Sequence, residues 1–354
     1  MSKAKKYEEG LTTTEFPMLT EFKHSPYLPF YSEQIQYSSF FLPHLFPNEF
    51  TGWRDEQLSW KKTAYISAGL NPSPTFRFSG PEATKFLSKY CVNTFEKFPV
   101  GSVKHCVCCN DDGTISGDGV ILRTEEDTYE TYWVYCLAIF AQADAGKYDM
   151  VFEDMSNDKC LLQVAGPRSL EILEEVSGED LHDIKFMKFK QMSISGKNFR
   201  IARLGMAGSL AYELHGARED SAAAYGAIFE TGKKYGMRRL GFKTYNMNHT
   251  ENGFPQFGHH FISTIKGFEK FDMPTGVIGS MGHDYKPYVT PYDLDWESAV
   301  KYDHDFVGRA ALEKIATDKP KTCVCLIWNK EDISDVYASQ FEEGESYRDM
   351  FEIN

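Results

Sequence analysis

Twice along the chain an apolar run ends on a small residue, a Gly-Pro pair follows, and leucines then recur at helical spacing. The two segments are RFSGPEATKFLSKY (77–90) and QVAGPRSLEILEEV (163–176). Glycine at 80 and 166 permits the backbone angles of a sharp turn, and Pro81 and Pro167 preset the first helical position. Leu87, Leu170 and Leu173 fall where a helix facing a core needs them. DFVGRAALEKI (305–315) is a looser third copy, with Arg309 in place of the proline. Repeated strand–turn–helix units at such long spacing predict a duplicated α+β building block rather than a short-period solenoid.

Between these units the pattern is that of strands and hairpins. GTISGDGVILRTEEDTYETYWVYCLAIF (113–140) predicts two β-rich runs around a charged turn. NFRIARLGMAGSLAYELHG (198–216) predicts a hairpin with a Gly-containing loop at 205–208. The longest apolar run, YWVYCLAIFA (132–141), is too short to span a bilayer and reads as a buried strand. SAAAYGAIFETGKKYGM (221–237) repeats small and apolar residues on one helical face. Residues 25–50 carry Pro26, Pro29, Pro43 and Pro47, which argue against long regular elements. Residues 331–354, with eight acidic side chains and one arginine, read as a solvated helix face.

Composition narrows the classes. A chain of 354 residues that is 42% apolar can bury the cores of two or three domains. A net charge of −13 argues against a nucleic-acid partner, which needs a basic face. The N-terminal MSKAKKYEEGLTTTEF has no apolar segment of the secretory kind, and with eight cysteines it predicts free thiols in a cytoplasmic protein without a membrane span. Cys106 and Cys108 share one strand face, as do Cys323 and Cys325, whereas zinc sites pair cysteines across a turn. His249 and Glu251 with Gly258-His259-His260 lack helical ligand spacing. No metal is expected.

Three places carry candidate chemistry. Asp118 lies between Gly117 and Gly119, where a ligand could approach the backbone closely or where a turn simply needs an aspartate. In SLAYELHG, alternation puts Glu213 and His215 on one strand face. A carboxylate there can grip the paired N–H groups of a heterocycle, or stand exposed on its strand. LGFKTYNMNHTENGFPQFGHH (240–260) is dense in Tyr, Asn, His and Glu without periodicity, the composition of a functional loop.

LLQVAGPRSLEILEEVSGEDL, IARLGMAGSLAYELHG, LGFKTYNMNHTENGFP and VKYDHDFVGRAAL together resemble the aminomethyltransferase (glycine-cleavage T-protein) family in order and spacing. Within it, WRDEQLSW, RLGMAG and IWNKEDISDVYASQF most resemble the tetrahydrofolate-dependent O-demethylases of vanillate and syringate. The resemblance implies an α+β, multidomain folate-binding fold around a central channel. It implies residues 1–47 as a loop-rich extension, 48–285 as a folate-binding core of two interleaved subdomains, and 286–354 as the start of a C-terminal barrel left incomplete.

By motif position Glu213 would pair with the pterin, Gln163 would line the same pocket, and Tyr245 would stand at the methyl-transfer centre. Asp118 would lie near folate N5, and Glu251, which matches a family glutamate that precedes a glycine, would join Tyr245 among the cofactor-binding residues. The implied reaction moves a methyl group from a small-molecule methoxylated donor to tetrahydrofolate N5. Tyr245 would protonate or stabilise the departing oxygen, and Asp118 would steer the protonation of N5. An aminomethyltransferase using a lipoyl carrier and a non-catalytic folate-binding protein remain alternatives, as does a second subunit supplying the rest of the barrel. Where vanillate-type enzymes hold a carboxylate with arginine on a strand, the aligned position is Leu137, and Gly69 and Pro72 replace polar residues. The donor pocket is therefore expected to be apolar.

Overall fold

The computed structural model describes residues 23–29, 36–38, 44–266, 288–317, 324–344 and 347. Pro43, Cys323 and the boundary expected at 285 lie outside them, as do residues 1–22. Strands β1 (Lys23–His24), β2 (Gln36–Ser38) and β3 (His44–Glu49) form a small sheet in the order β1-β3-β2. Tyr27, Leu28 and Phe46 are buried in the largest apolar core, so this proline-rich region packs against the body of the protein. Two single-turn helices, α1 (Trp53–Glu56) and α2 (Ser59–Lys62), lead into β4 (Tyr65–Ser67).

Two halves of the same plan follow. The first runs β5 (Thr75–Ser79), α3 (Ala83–Tyr90), β6 (Ser102–Cys109), β7 (Ile115–Glu125), β8 (Thr128–Tyr132) and α4 (Tyr135–Ala143). After β9 (Val151–Asp154), the second runs β10 (Lys159–Ala165), α5 (Ser169–Ser177), β11 (Phe189–Ile194), β12 (Lys197–Ala202), β13 (Ala211–Ala217) and α6 (Ser221–Gly232). Then come β14 (Arg238–Arg239), α7 (Phe242–Asn252), α8 (Arg309–Ile315) and α9 (Lys330–Ala338).

The sheets are ordered β6-β7-β8-β5-β9 and β11-β12-β13-β10-β4-β14. The leading strands are exchanged: β4 precedes β5 in the chain but pairs with β10, and β9 precedes β10 but pairs with β5. No closed barrel is present among the described residues.

The Gly-Pro turns sit where each half grips that exchanged strand. Gly80 and Gly166 have φ of 122° and 129°, and an added Cβ would lie 2.9 Å from the Asp149 carbonyl oxygen and 2.5 Å from that of Thr63. Those same carbonyls accept hydrogen bonds from Glu82 and Arg168. Only glycine allows this approach. Leu87 and Leu173, fully buried on the helices that follow, anchor the two outer cores. The third copy also forms, with Gly308 at φ 88° and helix α8 behind it.

Residues 132–141, expected as a strand, are instead the end of β8 and the helix α4. Trp133, at φ 71°, ends the strand. The helix buries Cys136, Leu137, Ala138, Phe140 and Ala141, which leaves almost no polar face to reveal its period. Leu137 accordingly packs in the core beneath the first sheet with Phe86 and Phe78, and does not line a strand of any donor pocket.

Each sheet has helices on its outer face, and the inner faces meet. Val103, Leu122 and Tyr132 from one sheet pack against Leu161 and Ala202 from the other. The same layer holds a buried ion pair: Arg200 donates to Glu130 at 2.6 Å, with Arg77 3.3 Å from the other oxygen. Burial works to raise the Glu130 carboxyl, but the Arg200 hydrogen bond and charge outweigh it and hold it at about 2, below its ordinary 4.5. Stability from this pair is therefore fully present above about pH 4.5 and lost as pH falls towards 2. Glu130→Gln should cost about 3–5 kcal/mol at neutral pH and flatten the acid limb of stability. Acid titration of unfolding free energy checks this, and an unchanged slope in the variant would refute it.

Candidate active site

The inner face of the second sheet carries a row of polar side chains. Antiparallel register sets Glu213 on β13 opposite Gln163 on β10, and Gln163 opposite Ser67 on β4, so all three project to one side. Glu213 and Gln163 are 4% and 0% exposed. Tyr65, two residues before Ser67, donates its hydroxyl proton to Gln163 Oε1 and accepts from Asn248 Nδ2 at 3.1 Å. Along β13, His215 Nε2 is 3.4 Å from Glu213 Oε2, and the Tyr132 ring stacks on the imidazole at 4.1 Å from the first sheet.

This network is under-satisfied. Gln163 Nε2, Asn248 Oδ1, His215 Nδ1 and the Tyr132 hydroxyl are buried without hydrogen-bond partners. Each such atom costs about 1–3 kcal/mol if left dry, and four in one connected group mark a place built for a ligand or water. Among the described residues no lysine or arginine lies within ion-pair distance of Glu213. Burial pushes the His215 pKa below its usual value against the pull of Glu213, so the imidazole is a weak counter-charge. A buried carboxylate without a cation beside it suits a ligand edge with several N–H donors.

Tyr245 reaches this group from α7. Its hydroxyl is 3.0 Å from His249 Nε2 and 3.7 Å from Met206 Sδ, and the residue is 1% exposed. Burial, then the neighbouring Tyr65 and Glu213, raise its pKa well above the usual phenol value, so it stays protonated. Residues 240–260 were expected as a loop, but 242–252 are helical. Their buried positions, Thr244, Tyr245, Asn248 and His249, do follow helical spacing. They are polar, and a search for apolar periodicity misses such a face.

The other candidates stand apart. Asp118 is on β7 of the first sheet, 3.1 Å from His105 Nε2. His105 meets the Phe254 ring edge-on at 5.3 Å, and Phe254 lies 6.0 Å from the His249 ring. Asp118 thus connects to Tyr245 only through intervening rings. Glu251, at the end of α7, accepts from Trp60 Nε1 at 3.1 Å and pairs with Lys61 at 2.9 Å. It borders an open depression of about 430 Å³ beside Ala207, Gly208 and Ser209, and touches neither Glu213 nor Gln163. Cys106 and Cys108 do share a strand face, and their thiols meet Cys91 at 3.3 and 3.9 Å inside an apolar core. Asn248, Tyr65 and Tyr132 are network members that the sequence did not single out. Alternation did place His215 beside Glu213, as observed; the others meet only through packing between elements.

Comparison with known proteins agrees with this architecture. Residues 33–271 match the model of the GCVT N-terminal domain. The chain is 42% identical over 313 residues to the sesamin methylene transferase of Sinomonas sp. (strain No.22), covering 83% of this chain and 69% of that protein. It is 30% identical over 319 residues to the syringate O-demethylase of a Sphingobium species, covering 84% and 69%. An aminomethyltransferase of Saccharopolyspora erythraea is 25% identical over 286 residues, covering 77% and 71%. The fold is that of the glycine cleavage system aminomethyltransferase T from Bartonella henselae, with TM-score 0.64 at 17% identity over 80% of this chain and 71% of that one. No helix among the described residues is long and apolar enough to cross a membrane. With two thirds of its length matched by one family model and transferases among its relatives, the chain belongs to the GCVT N-terminal domain family.

Proposed function

We propose that this protein transfers a one-carbon unit from an aromatic ether to tetrahydrofolate. The observation that carries the reading is the Gln163–Glu213 row, buried, short of partners and facing Tyr245. Tetrahydrofolate supplies, when bound, a nucleophilic nitrogen that accepts the carbon. Glu213 would hold its pterin edge through paired N–H groups, and Gln163 Nε2 would donate to a ring acceptor. Tyr245 handles the proton exchanged at the transfer centre, and the buried walls keep water from the reacting carbon. Asp118, paired with His105, steers protonation from the opposite sheet. Glu251 fastens the end of α7 to α2 through Trp60 and Lys61.

Two forms of the reaction are open, and the relatives' names differ on them. The 42% identical protein is a methylene transferase named for sesamin, and the 30% identical one demethylates syringate. The higher identity favours methylene transfer. Incubation with tetrahydrofolate and paired donors, one methylenedioxy-arene and one methoxyarene, should convert one of them to its phenol. Mass spectrometry should show the lost carbon on the folate as 5,10-methylene or 5-methyl. Folate bound without turnover of either donor would overturn the proposal, and a requirement for a lipoyl carrier would replace it with aminomethyl transfer.

A further inference from the structure

His249 lies one helical turn beyond Tyr245, and the proposed transfer leaves it without a task. The residue is 3% exposed, and its two ring nitrogens have different neighbours. Nδ1 is 3.3 Å from the Phe254 carbonyl oxygen, and Nε2 is 3.0 Å from the Tyr245 hydroxyl. A carbonyl oxygen can only accept, so Nδ1 must carry the hydrogen. Burial first, with the nearby His260 and His259, pushes the imidazole pKa down to about 4, so the ring holds one proton only. Nε2 is then bare, and Tyr245 must be the donor of the bond between them. Met206 Sδ, the other acceptor in reach, is farther away and weaker at 3.7 Å. The phenol proton is committed to the histidine, and the oxygen lone pairs are left for the substrate side.

We infer that His249 is a positioning residue that makes Tyr245 a two-way proton relay. The inference rests on the one-carbon transfer proposed above. For each aryl C–O bond that breaks with its electron pair on oxygen as a C–N bond forms, one in methyl transfer and two in methylene transfer, Tyr245 oxygen takes up the proton shed at that nitrogen. Its own proton passes to His249 Nε2. Return of that proton through Tyr245 leaves the aryl oxygen as a phenol, so no charge or atom is left over. A tyrosine alone would have to become a buried phenolate beside Glu213 to do the same work. The bare Nε2 avoids that state.

The test has two arms. ¹⁵N NMR of histidine-labelled full chain, without folate or donor, should show one buried histidine protonated at Nδ1, with an Nε2 resonance that moves in Tyr245→Phe. A protonated Nε2 on His249, assigned by its loss in His249→Gln, would overturn the relay whatever the enzyme does. In the kinetic arm, His249→Gln keeps an acceptor for the hydroxyl but cannot take up the proton. It should lose roughly 10²-fold in kcat with KM and folate affinity unchanged. Gln at wild-type kcat would reduce His249 to a spacer and overturn the inference. If the wild-type protein turns over no aryl ether, the transfer reading fails and the relay falls with it, even with the tautomer as described.

Discussion

Tyr245→Phe should bind tetrahydrofolate as the wild type does and turn over aryl ether about 10²–10⁴ times more slowly, the range by which positioned proton transfer accelerates reactions. The ring itself is fully buried among Trp60, Tyr65 and Leu240, so phenylalanine fills the same space and the helix keeps its seat. Only the hydroxyl is lost. His249 Nε2 then has no donor, a cost of about 1–3 kcal/mol in stability that a melting curve can read. Single-turnover measurement of donor consumption at saturating folate isolates the chemical step. Full activity in this variant would remove Tyr245 from the mechanism.

Glu213→Gln is the second large effect, and it should push affinity and stability in opposite directions. Against a ligand edge of N–H donors the carboxylate offers only acceptors, while a glutamine turns its own NH₂ towards one of them. Charge-assisted hydrogen bonds contribute about 1.5–3 kcal/mol, so the dissociation constant for tetrahydrofolate should rise roughly 10–100-fold. The free protein, relieved of a buried carboxylate with no cation beside it, should melt at the same or a higher temperature. Titration calorimetry and thermal unfolding on one preparation check both halves. Unchanged affinity would show that the acid does not face the folate.

The turns and hairpins were legible because they rest on local chemistry. Gly80, Gly166 and Gly308 each take a positive φ, and each opens a helix. The 198–216 hairpin pairs as β12 and β13, with Ala202 opposite Glu213. Helix α4 was not legible, since burial on nearly every side erases the contrast on which periodicity depends. Its counterpart α6 was, because Ala222, Ala223 and Gly226 leave a readable lighter face. Had the duplication been carried through, the helix after β13 would have required one after β8.

Glu213 stood out by alternation and by family resemblance. Its surroundings did not, because Tyr65, Asn248 and Tyr132 come from segments brought together only by sheet pairing and packing. In the sequence His249 stood only as a metal-ligand candidate whose spacing did not fit. Its tautomer depends on the Phe254 carbonyl, which no spacing rule supplies.

The reciprocal exchange of β4 and β9 couples the halves more firmly than a shared surface would. Cutting the chain between α4 and β9 would leave each fragment holding a strand that belongs to the other, and a turn closing on nothing. Neither piece could complete its sheet alone, so the polar row of Glu213, Gln163 and Ser67 is assembled in the same event that threads the sheets together. A gene for half of this protein would encode no smaller version of it, and any ancestor built from a single copy must have lent its first strand to a twin.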